Sequence, residues 1–267
     1  MTAHDVNAME ATRHKVGIVL SGGGVRGAAH VGVLKALQEE GLEPTALAGA
    51  SSGAMVAAMY AARRSFNQTL DIFRDNAIFS WSYFGLARKP GLLDSERLLE
   101  GLHRALDNKT FDDVSRELHV VASNLLDGSS HYFHEGDLAV AVMASSAYPG
   151  VFSPVEIDGR WLTDGGVTNN LPLEPLLHRC DALIGCFVNP VEEMKLEQLQ
   201  TTFSVTQRAF QISTTNTVRT KLDLCDFTVA PLEILDIGIF EFSRTNEAYE
   251  IGLTAGRELA KSVTEHL

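Results

Sequence analysis

The sequence predicts an α/β fold with a mostly parallel sheet covered by helices. Residues 16–64 alternate between short apolar runs, turns rich in small residues, and stretches in which apolar residues follow helical spacing. Strands buried on both faces read as continuous apolar runs, and parallel neighbours need crossover helices. Further apolar runs follow at 117–125 and 181–188. We therefore expect one central sheet with helices packed against it.

The first strands each end in a turn of small residues. The run KVGIVL at 15–20 stops at Ser21-Gly22-Gly23-Gly24, as a buried strand stops at a loop. A helix is predicted from Ala28 to Glu40, and Gly41 provides its stop. The next strand is predicted at about 46–48, and it turns at Ser51 into an alanine-rich helix reaching Arg64.

Beyond residue 64 the alternation loosens, but each element can still be assigned. Asp158-Gly159 indicates a hairpin turn between two short strands. No repeat, low-complexity tract or linker divides the chain, so we expect a single domain over 15–267, preceded by a flexible segment at 1–14. The other predicted elements are helices at 95–106, 138–145, 195–219 and 245–262, and strands at 117–125, 129–135, 181–188 and 226–230.

Composition and charge exclude several classes of function. The formal net charge of −12 argues against a nucleic-acid partner, and it gives no general attraction to anionic membranes, although a local basic patch could still supply one. The three cysteines form no zinc pattern or disulfide framework. Residues 1–15 do not resemble a signal peptide, and no run approaches the ~18 apolar residues of a membrane span. We expect a cytoplasmic protein, with peripheral contact with a membrane left open.

A serine flanked by glycines stands at a predicted strand-to-helix corner. The stretch Gly49-Ala50-Ser51-Ser52-Gly53 has the spacing G-x-S-x-G. In that arrangement the glycines allow a sharp turn, which exposes the serine oxygen and directs the N-terminus of the next helix toward it. The pentapeptide alone is a weak signal, because turns of small residues arise by chance. Its strand–turn–helix context supports Ser51 as a nucleophile.

The base that would activate this serine is not an obvious histidine. In α/β-hydrolases the order is serine, acid, histidine, and only His178 and His266 follow the best acid candidate, Asp164. We expect His266 to be frayed and His178 to pack on a helix face or at a helix C-terminus. Asp164 precedes Gly165 and Gly166, so it is either the base or an ordinary Asp-Gly turn. Partial burial would raise its pKa from about 4 and make it a better base.

A third loop, Gly22-Gly23-Gly24, lies between the first strand and the first helix. Its backbone N–H groups can face a developing oxyanion, and Arg26 adds a positive charge nearby. The spacing of Gly22, Gly24 and Gly27 also matches the dinucleotide fingerprint. That fingerprint needs an acid about 20 residues later, at the end of the second strand. Here the second strand ends in the serine turn, which disfavours a nucleotide site.

Together, the three loops resemble those of the patatin-like phospholipase family. The resemblance rests on SGGGVRG at Ser21–Gly27, GASSG at Gly49–Gly53 and DGG at Asp164–Gly166, with a flanking similarity over 145–172. It covers about residues 15–190 and is closest to the small bacterial single-domain type. The combination is highly specific, although no single motif is.

The resemblance implies a three-layer α/β fold and hydrolysis of acyl esters, usually of lipids, through an acyl-enzyme. Ser51 would be the nucleophile and Asp164 its base, while the Gly23 and Gly24 amides, with Arg26 nearby, would hold the oxyanion. No metal or cofactor is implied. The predicted site therefore comprises Ser51 and Asp164 as catalytic residues; Gly22, Gly23, Gly24, Arg26 and Gly27 around the oxyanion; and Gly49, Gly53, Gly165 and Gly166 as supporting glycines.

Two aromatic segments are candidates for contact with a lipid. The stretch 76–93 carries Trp81 and other aromatic residues followed by Arg88 and Lys89, which suits either a lid or packing between helices. The stretch 233–243 is either core or the rim of an acyl site, and core is favoured. The Tyr148-Pro149-Gly150 turn is left outside the predicted site.

The expected function is a serine acyl-ester hydrolase, either a lysophospholipase or phospholipase A, or a carboxylesterase, with an acyl ester or phospholipid as its partner. An acyl transferase, a thioesterase or a peptidase would use the same nucleophile. The alternative of a different class is a non-catalytic module that binds a lipid or an anion. Covalent reactivity of Ser51 separates the two classes.

Overall fold

The computed structural model describes residues 15–75 and 95–267, and its centre is a mixed sheet of eight described strands. Five neighbouring strands are parallel and form the middle and one side of the sheet, and an antiparallel group completes the other side. The mostly parallel sheet predicted from sequence is confirmed. The strands are β1 Val16–Leu20, β2 Ala46–Ala50, β3 Glu117–Asn124, β4 Ser130–Phe133, β5 Val155–Ile157, β6 Arg160–Thr163, β7 Ala182–Cys186 and β8 Phe227–Val229.

The strand order is β5-β6-β3-β2-β1-β7-β8, and β4 pairs additionally with β3. Strand β1 therefore lies inside the sheet. Its two neighbours, β2 and β7, come from distant parts of the chain. The hairpin predicted at Asp158-Gly159 joins β5 and β6, with both turn residues at positive φ. Because β1, β2 and β7 are parallel, the loops that follow them leave the same edge of the sheet.

Helices cover both faces of this sheet, as predicted. Alternate residues of β1 separate the two cores: Ile18 packs with one group of helices, while Val19 packs with the segment around Leu171 and with Val218 of the other layer. The α-helices are α1 Ala28–Glu39, α2 Ser52–Ala61, α3 Phe66–Arg74, α4 Ser95–Ala105, α5 Leu138–Ser145, α6 Gly166–Asn169, α7 Thr202–Leu222 and α8 Thr245–His266.

Several helices differ from the sequence-based prediction; the alanine-rich helix, expected to reach Arg64, ends at Ala61. The helix expected from 195 begins only at Thr202, because the side chains of Thr201 and Ser204 form a capping box there. Helix α8 continues to His266 rather than ending near 262. Helix α3 was not predicted, although Ser65 and Gln68 form the capping box that starts it. The observed starts of α7 and α3 both coincide with capping boxes.

Helices α1 and α8 approach each other closely at glycine positions. A Cβ atom on Gly252 would collide with the carbonyl oxygen of Ala29, and one on Gly32 would collide with that of Tyr249. A Cβ on Gly256 would lie 2.8 Å from the Cα of Val33. The backbones of the two helices are thus in contact, and this contact sets the distance between α1 and α8.

We expect Gly252→Ala to destabilise the protein by about 1–3 kcal/mol, since the added methyl group forces these helices apart. Helix propensity alone would give the opposite sign, a gain of about 1 kcal/mol. Urea unfolding measures the change, with Thr254→Ala at an exposed position of the same helix as the control. A Gly252→Ala protein as stable as the wild type would show that the close approach does not exist.

Candidate active site

Ser51 occupies the predicted strand–turn–helix corner, between β2 and α2. Its backbone has φ 53° and ψ −124°, a conformation that costs a non-glycine residue free energy. A Cβ atom on Gly53 would collide with the carbonyl oxygen of Leu20, and one on Gly49 would lie 2.6 Å from the amide nitrogen of Ala54. The two glycines of the motif are therefore required by the close approach of β1 and α2 to this corner.

The strained corner is held by backbone hydrogen bonds of Ser51. Its amide donates to the hydroxyl oxygen of Ser145 at 2.8 Å, and its carbonyl accepts from the amide of Met55 at 3.1 Å. Ser145 is fully buried at the end of α5. The position of Ser51 therefore does not depend on its own side chain.

Strand register brings Asp164 to the same level of the sheet as Ser51. Strands β2 and β3 pair Ala50 with Val121, so the residue after β2 comes level with Ala122. Strands β3 and β6 run antiparallel and pair Ser123 with Thr163, so the residue after β6 also comes level with Ala122. The two residues, Ser51 and Asp164, line one cavity.

The carboxyl group of Asp164 is almost fully buried, with 2% of the residue exposed. Its Oδ1 accepts a hydrogen bond from the Gly166 amide at 2.8 Å, while Oδ2 has no partner at hydrogen-bond distance within the described part of the chain. Burial raises the pKa of Asp164 to about 6, against smaller opposing effects of the Ser51 hydroxyl and the Gly166 amide. The Ser51 hydroxyl is thus close enough to this carboxyl group to influence its pKa.

The glycine loop is attached to α6 and the loop after it through Asn170, a residue that the sequence analysis missed. The Gly22 amide donates to Asn170 Oδ1 at 3.1 Å, and Asn170 Nδ2 makes a long contact of 3.5 Å with the Gly22 carbonyl oxygen. The predicted oxyanion donor at Gly22 is therefore already engaged. Among residues 15–75 and 95–267, no acceptor is found for the amides of Gly23 and Gly24.

Gly24 is at positive φ, 61°, and a Cβ atom there would collide with the carbonyl oxygen of Ile239. The next amide, that of Val25, donates to the same carbonyl at 2.9 Å. The glycine loop and the segment around Ile239 are thus packed backbone to backbone. Only glycine combines this conformation with this contact.

Arg26 lines the same cavity as Ser51 and the glycine loop, and its guanidinium is bound by protein oxygens. Its side chain is buried, and it donates from Nε to the Ile237 carbonyl at 2.6 Å, from Nη1 to Asn189 Oδ1 at 2.9 Å and from Nη2 to the Leu235 carbonyl at 3.3 Å. Burial lowers the pKa of Arg26 to about 10, so the group stays charged at neutral pH. The guanidinium anchors residues 235–237 beside the glycine loop.

Gly27 differs from its predicted place. It is the N-cap residue of α1 and does not line the cavity at Ser51. A Cβ atom on Gly27 would lie 2.6 Å from Ser52 Oγ. Its role is thus the close packing of α1 against α2, which the dinucleotide-like spacing did not distinguish from an oxyanion contact.

None of the described histidines lines the cavity at Ser51. His178 is exposed in a turn at φ 59°, so the predicted packing role is wrong. His266 is not frayed: it belongs to α8, and its ring lies edge-on against Phe227 at 5.5 Å.

His30 lies fully buried beneath the glycine loop. Its Nε2 donates to the carbonyl oxygen of Ser21 at 2.8 Å, which leaves Nδ1 to accept from the thiol of Cys186 at 3.0 Å. We assign the tautomer from these partners. Burial lowers the pKa of His30 to about 4, so the ring is neutral and holds the start of the loop by hydrogen bonding.

Tyr148, left outside the predicted site, lies on the cavity wall beside Ser51. Its ring contacts Phe210 edge-on at 5.4 Å and Phe240 at 5.7 Å. Burial and the nearby charge of Asp164 both raise the pKa of Tyr148, so its hydroxyl stays protonated. The sequence signal for it was only its position next to a Pro-Gly turn.

The segment 233–243 serves both of the roles that were weighed for it. Ile234 and Ile237 are core residues, whereas Ile239, Phe240 and Phe242 line an apolar pocket that also contacts Ser51. The other aromatic segment, 76–93, with the lid hypothesis for Trp81, lies outside the described residues.

No group of three or more histidine, cysteine, aspartate and glutamate residues within the described chain is arranged to hold a metal ion. No helix in the part of the chain that the structure describes is long and apolar enough to cross a membrane.

Comparisons with known proteins identify the family and the fold. A family model described as patatin-like phospholipase matches residues 18–177, a range that contains Ser51 and Asp164. Among solved structures, VipD from Legionella pneumophila has a TM-score of 0.55 and 16% sequence identity, over 96% of this chain and 67% of that one. This likeness is one of fold.

Curated relatives are longer proteins. An uncharacterized NTE family protein of Mycobacterium bovis is 35% identical over 164 residues, which is 61% of this chain and 45% of that protein. Lysophospholipase NTE1 of Cryptococcus neoformans var. neoformans is 25% identical over 287 residues, 94% of this chain and 17% of that protein. The chain thus spans less than half the length of these relatives.

Proposed function

The chain belongs to the patatin-like phospholipase family, and on this premise we propose that it is a serine hydrolase of lipid acyl esters. One observation carries the proposal: Ser51, on a strained corner, shares a cavity with the buried carboxyl group of Asp164 and with the unengaged amides of Gly23 and Gly24. A nucleophile, a base and oxyanion donors around one cavity suit acyl transfer.

In the proposed reaction, Ser51 Oγ attacks the ester carbonyl carbon while Asp164 accepts the hydroxyl proton. The carbonyl oxygen becomes an oxyanion and receives hydrogen bonds from the Gly23 and Gly24 amides. Collapse of this intermediate breaks the bond to the alcohol, which takes the proton back from Asp164 as it leaves. Water then attacks the acyl carbon while Asp164 accepts its proton. The bond between the acyl carbon and Ser51 Oγ breaks, Asp164 returns the proton to Oγ, and the carboxylic acid is released.

The environment of Asp164 supports its role as the base. A carboxylate with a pKa near 4 is a weak base, whereas burial raises the pKa of Asp164 to about 6. At pH 7–8 the group is still ionised and therefore competent to accept a proton. Its Oδ2 has no protein partner at hydrogen-bond distance in the described residues, which leaves that oxygen for the Ser51 proton.

The oxyanion donors are held by residues on three sides of the loop. His30 binds the Ser21 carbonyl, Asn170 binds the Gly22 amide, and Val25 donates to the Ile239 carbonyl. Such fixed donors cost no reorganisation during the reaction, and each is worth about 2.7–4 kcal/mol in comparable sites. We assign the oxyanion hole to Gly23 and Gly24, with Arg26 as an anchor of the neighbouring segment.

We also propose that residues 15–267 form a single domain. Support comes from the sheet, in which β1 lies between β2 and β7, and from the packing of α8 on α1. Elements from both ends of the described chain thus build one core.

The test of the proposed function is hydrolysis of p-nitrophenyl acyl esters as a function of pH. Because only ionised Asp164 can accept the proton, we expect kcat/KM to be half-maximal near pH 6, to fall below that pH and to level off above it. The Ser51→Ala variant is the control and should lack activity. A folded wild type without esterase activity, or activity that survives Ser51→Ala, would contradict the proposal and favour a binding module.

A further inference from the structure

We propose that the site selects esters whose alcohol part is an uncharged polyol of the glycerol type, over esters whose alcohol part carries an anionic phosphate. The inference rests on the proposed function, because it concerns the leaving group of that reaction. It is carried by the polarity and charge of the two sides of the cavity at Ser51.

The surroundings of Ser51 divide by polarity. Gly24, Ser51, Tyr148 and Ile239 border both sides. On one side the wall of a pocket of about 50 Å³ is almost entirely apolar. On the other side a cavity of about 260 Å³ has a mixed wall, in which amide and acidic side chains stand beside Met194, Phe210 and Leu235. The apolar wall includes Met55, Phe73, Phe152, Phe240 and Phe242, and the polar wall includes Asn189, Gln198, Gln207, Gln211, Asp236 and Glu241.

This division orients an ester bound at Ser51. Burying a hydrocarbon chain is favourable on the apolar side, whereas hydroxyl groups lose hydrogen bonds to water unless the wall replaces them. The acyl chain therefore belongs on the side of Met55 and Phe73, and the alcohol on the side of Asn189 and Gln207.

The charge on the polar side disfavours an anion. Of the described residues that line it, Asp164, Asp236 and Glu241 carry carboxyl groups, and Arg26 alone carries a guanidinium. Glu241 is paired with Arg244 at 3.4 Å, so Asp164 and Asp236 are the lining carboxylates outside that pair. Each nitrogen of the Arg26 guanidinium already donates to a protein oxygen. A phosphate here would lose part of its hydration and meet the carboxylates of Asp164 and Asp236, while the lining guanidinium is already bound to protein oxygens.

The same wall matches the hydrogen bonding of hydroxyl groups. Asn189 Oδ1 accepts from Arg26 and from Gln211, so its amide nitrogen is left to donate into the cavity. Gln207 offers both a donor and an acceptor, and Asp236 at the rim offers acceptors. A hydroxyl donates and accepts, so a polyol can satisfy these groups without adding charge.

The experiment compares 1-monoacylglycerol, lysophosphatidic acid and lysophosphatidylcholine with the same acyl chain, in the same neutral detergent micelles. The p-nitrophenyl ester of that acid is measured alongside them. We expect kcat/KM for the monoacylglycerol to exceed that for lysophosphatidic acid by about tenfold or more, with lysophosphatidylcholine in between. That ratio corresponds to about 1.4 kcal/mol in transition-state binding.

A charge variant tests the cause of the preference. Asp236→Lys replaces a rim carboxylate by an ammonium group and is expected to narrow the ratio of monoacylglycerol to lysophosphatidic acid at least threefold. Glu250→Lys is the matched control, because Glu250 is exposed on α8 and does not line the cavity. It should leave the ratio unchanged.

The outcomes separate this inference from the proposed function. If the p-nitrophenyl ester is not hydrolysed by the folded protein, the proposed function fails and the inference fails with it. If that ester is hydrolysed but kcat/KM for either phospholipid equals or exceeds that for the monoacylglycerol, the proposed function stands and the inference is overturned. If Asp236→Lys leaves the ratio of monoacylglycerol to lysophosphatidic acid hydrolysis unchanged, the inference is also overturned, because the charge of the wall would then not determine the preference.

Discussion

The Asp164→Asn variant is expected to lose activity and to gain stability at the same time. Without a carboxylate the proton of Ser51 has no acceptor, so kcat/KM should fall by about 10²- to 10⁴-fold, the usual contribution of a general base. The asparagine oxygen can still accept from the Gly166 amide, which keeps the turn after β6 intact. We therefore expect the loss of activity to come from the missing base and not from a change in the structure of the site.

The gain in stability follows from the raised pKa of Asp164. In the folded state Asp164 has a pKa of about 6, above the ordinary aspartate value of 3.8, so the folded protein binds this proton more tightly than the unfolded chain does. The resulting contribution to stability is fully present below pH 3.8 and is lost as pH rises through 6. At pH 8 the ionised group then costs the fold on the order of 3 kcal/mol, which asparagine removes.

Urea unfolding of the wild type and Asp164→Asn at pH 8 and pH 4.5 measures this effect. The difference in unfolding free energy should favour the variant by about 1–3 kcal/mol at pH 8 and shrink at pH 4.5. Asp112→Asn, at an exposed position, should change stability by less than about 0.5 kcal/mol at either pH. A variant less stable than the wild type at pH 8 would show that Asp164 is a structural residue.

The second large effect concerns the strained corner at Ser51. Both Ser51→Gly and Ser51→Ala remove the nucleophile, and each should lower activity by at least about 10³-fold. Their stabilities should differ, because φ 53° and ψ −124° suit glycine but strain any residue with a Cβ atom. Ser51→Gly should be more stable than Ser51→Ala by about 1 kcal/mol, after the greater freedom of glycine in the unfolded chain is subtracted.

Thermal and urea unfolding of these two variants, both inactive, measure the difference in backbone strain at residue 51. Ala62→Gly, at the C-terminal cap of α2, is the control for the general cost of glycine, since Ala62 is at φ −74°. It should be less stable than the wild type. Equal stability of Ser51→Gly and Ser51→Ala would mean that the corner stores no strain.

The sequence predicted the parts of the site that lie close together along the chain. Gly49 and Gly53 flank Ser51, and Gly165 and Gly166 follow Asp164, so local turn chemistry indicated both corners. Strand β1 and helix α5 were likewise evident from short-range patterns. These features depend on backbone sterics within a few residues, so they can be predicted from the local sequence.

The remaining features depend on contacts between distant residues. The guanidinium of Arg26 binds carbonyls at Leu235 and Ile237, more than 200 residues later, and no local pattern predicts that anchor. Asn170 binds the Gly22 amide across a sequence separation of 148 residues. The motif spacing therefore suggested oxyanion roles for Gly22 and Gly27 that their actual partners do not support.

The most direct test of the proposed catalytic pair is labelling by a fluorophosphonate probe, followed by intact-mass and peptide mass spectrometry. We expect one adduct on the wild type, located on Ser51, absent from Ser51→Ala and formed much more slowly in Asp164→Asn. Its rate should rise with pH through about 6, together with ionisation of Asp164. A folded wild type that takes up no probe, or an adduct that persists in Ser51→Ala, would contradict a catalytic role for Ser51 and Asp164.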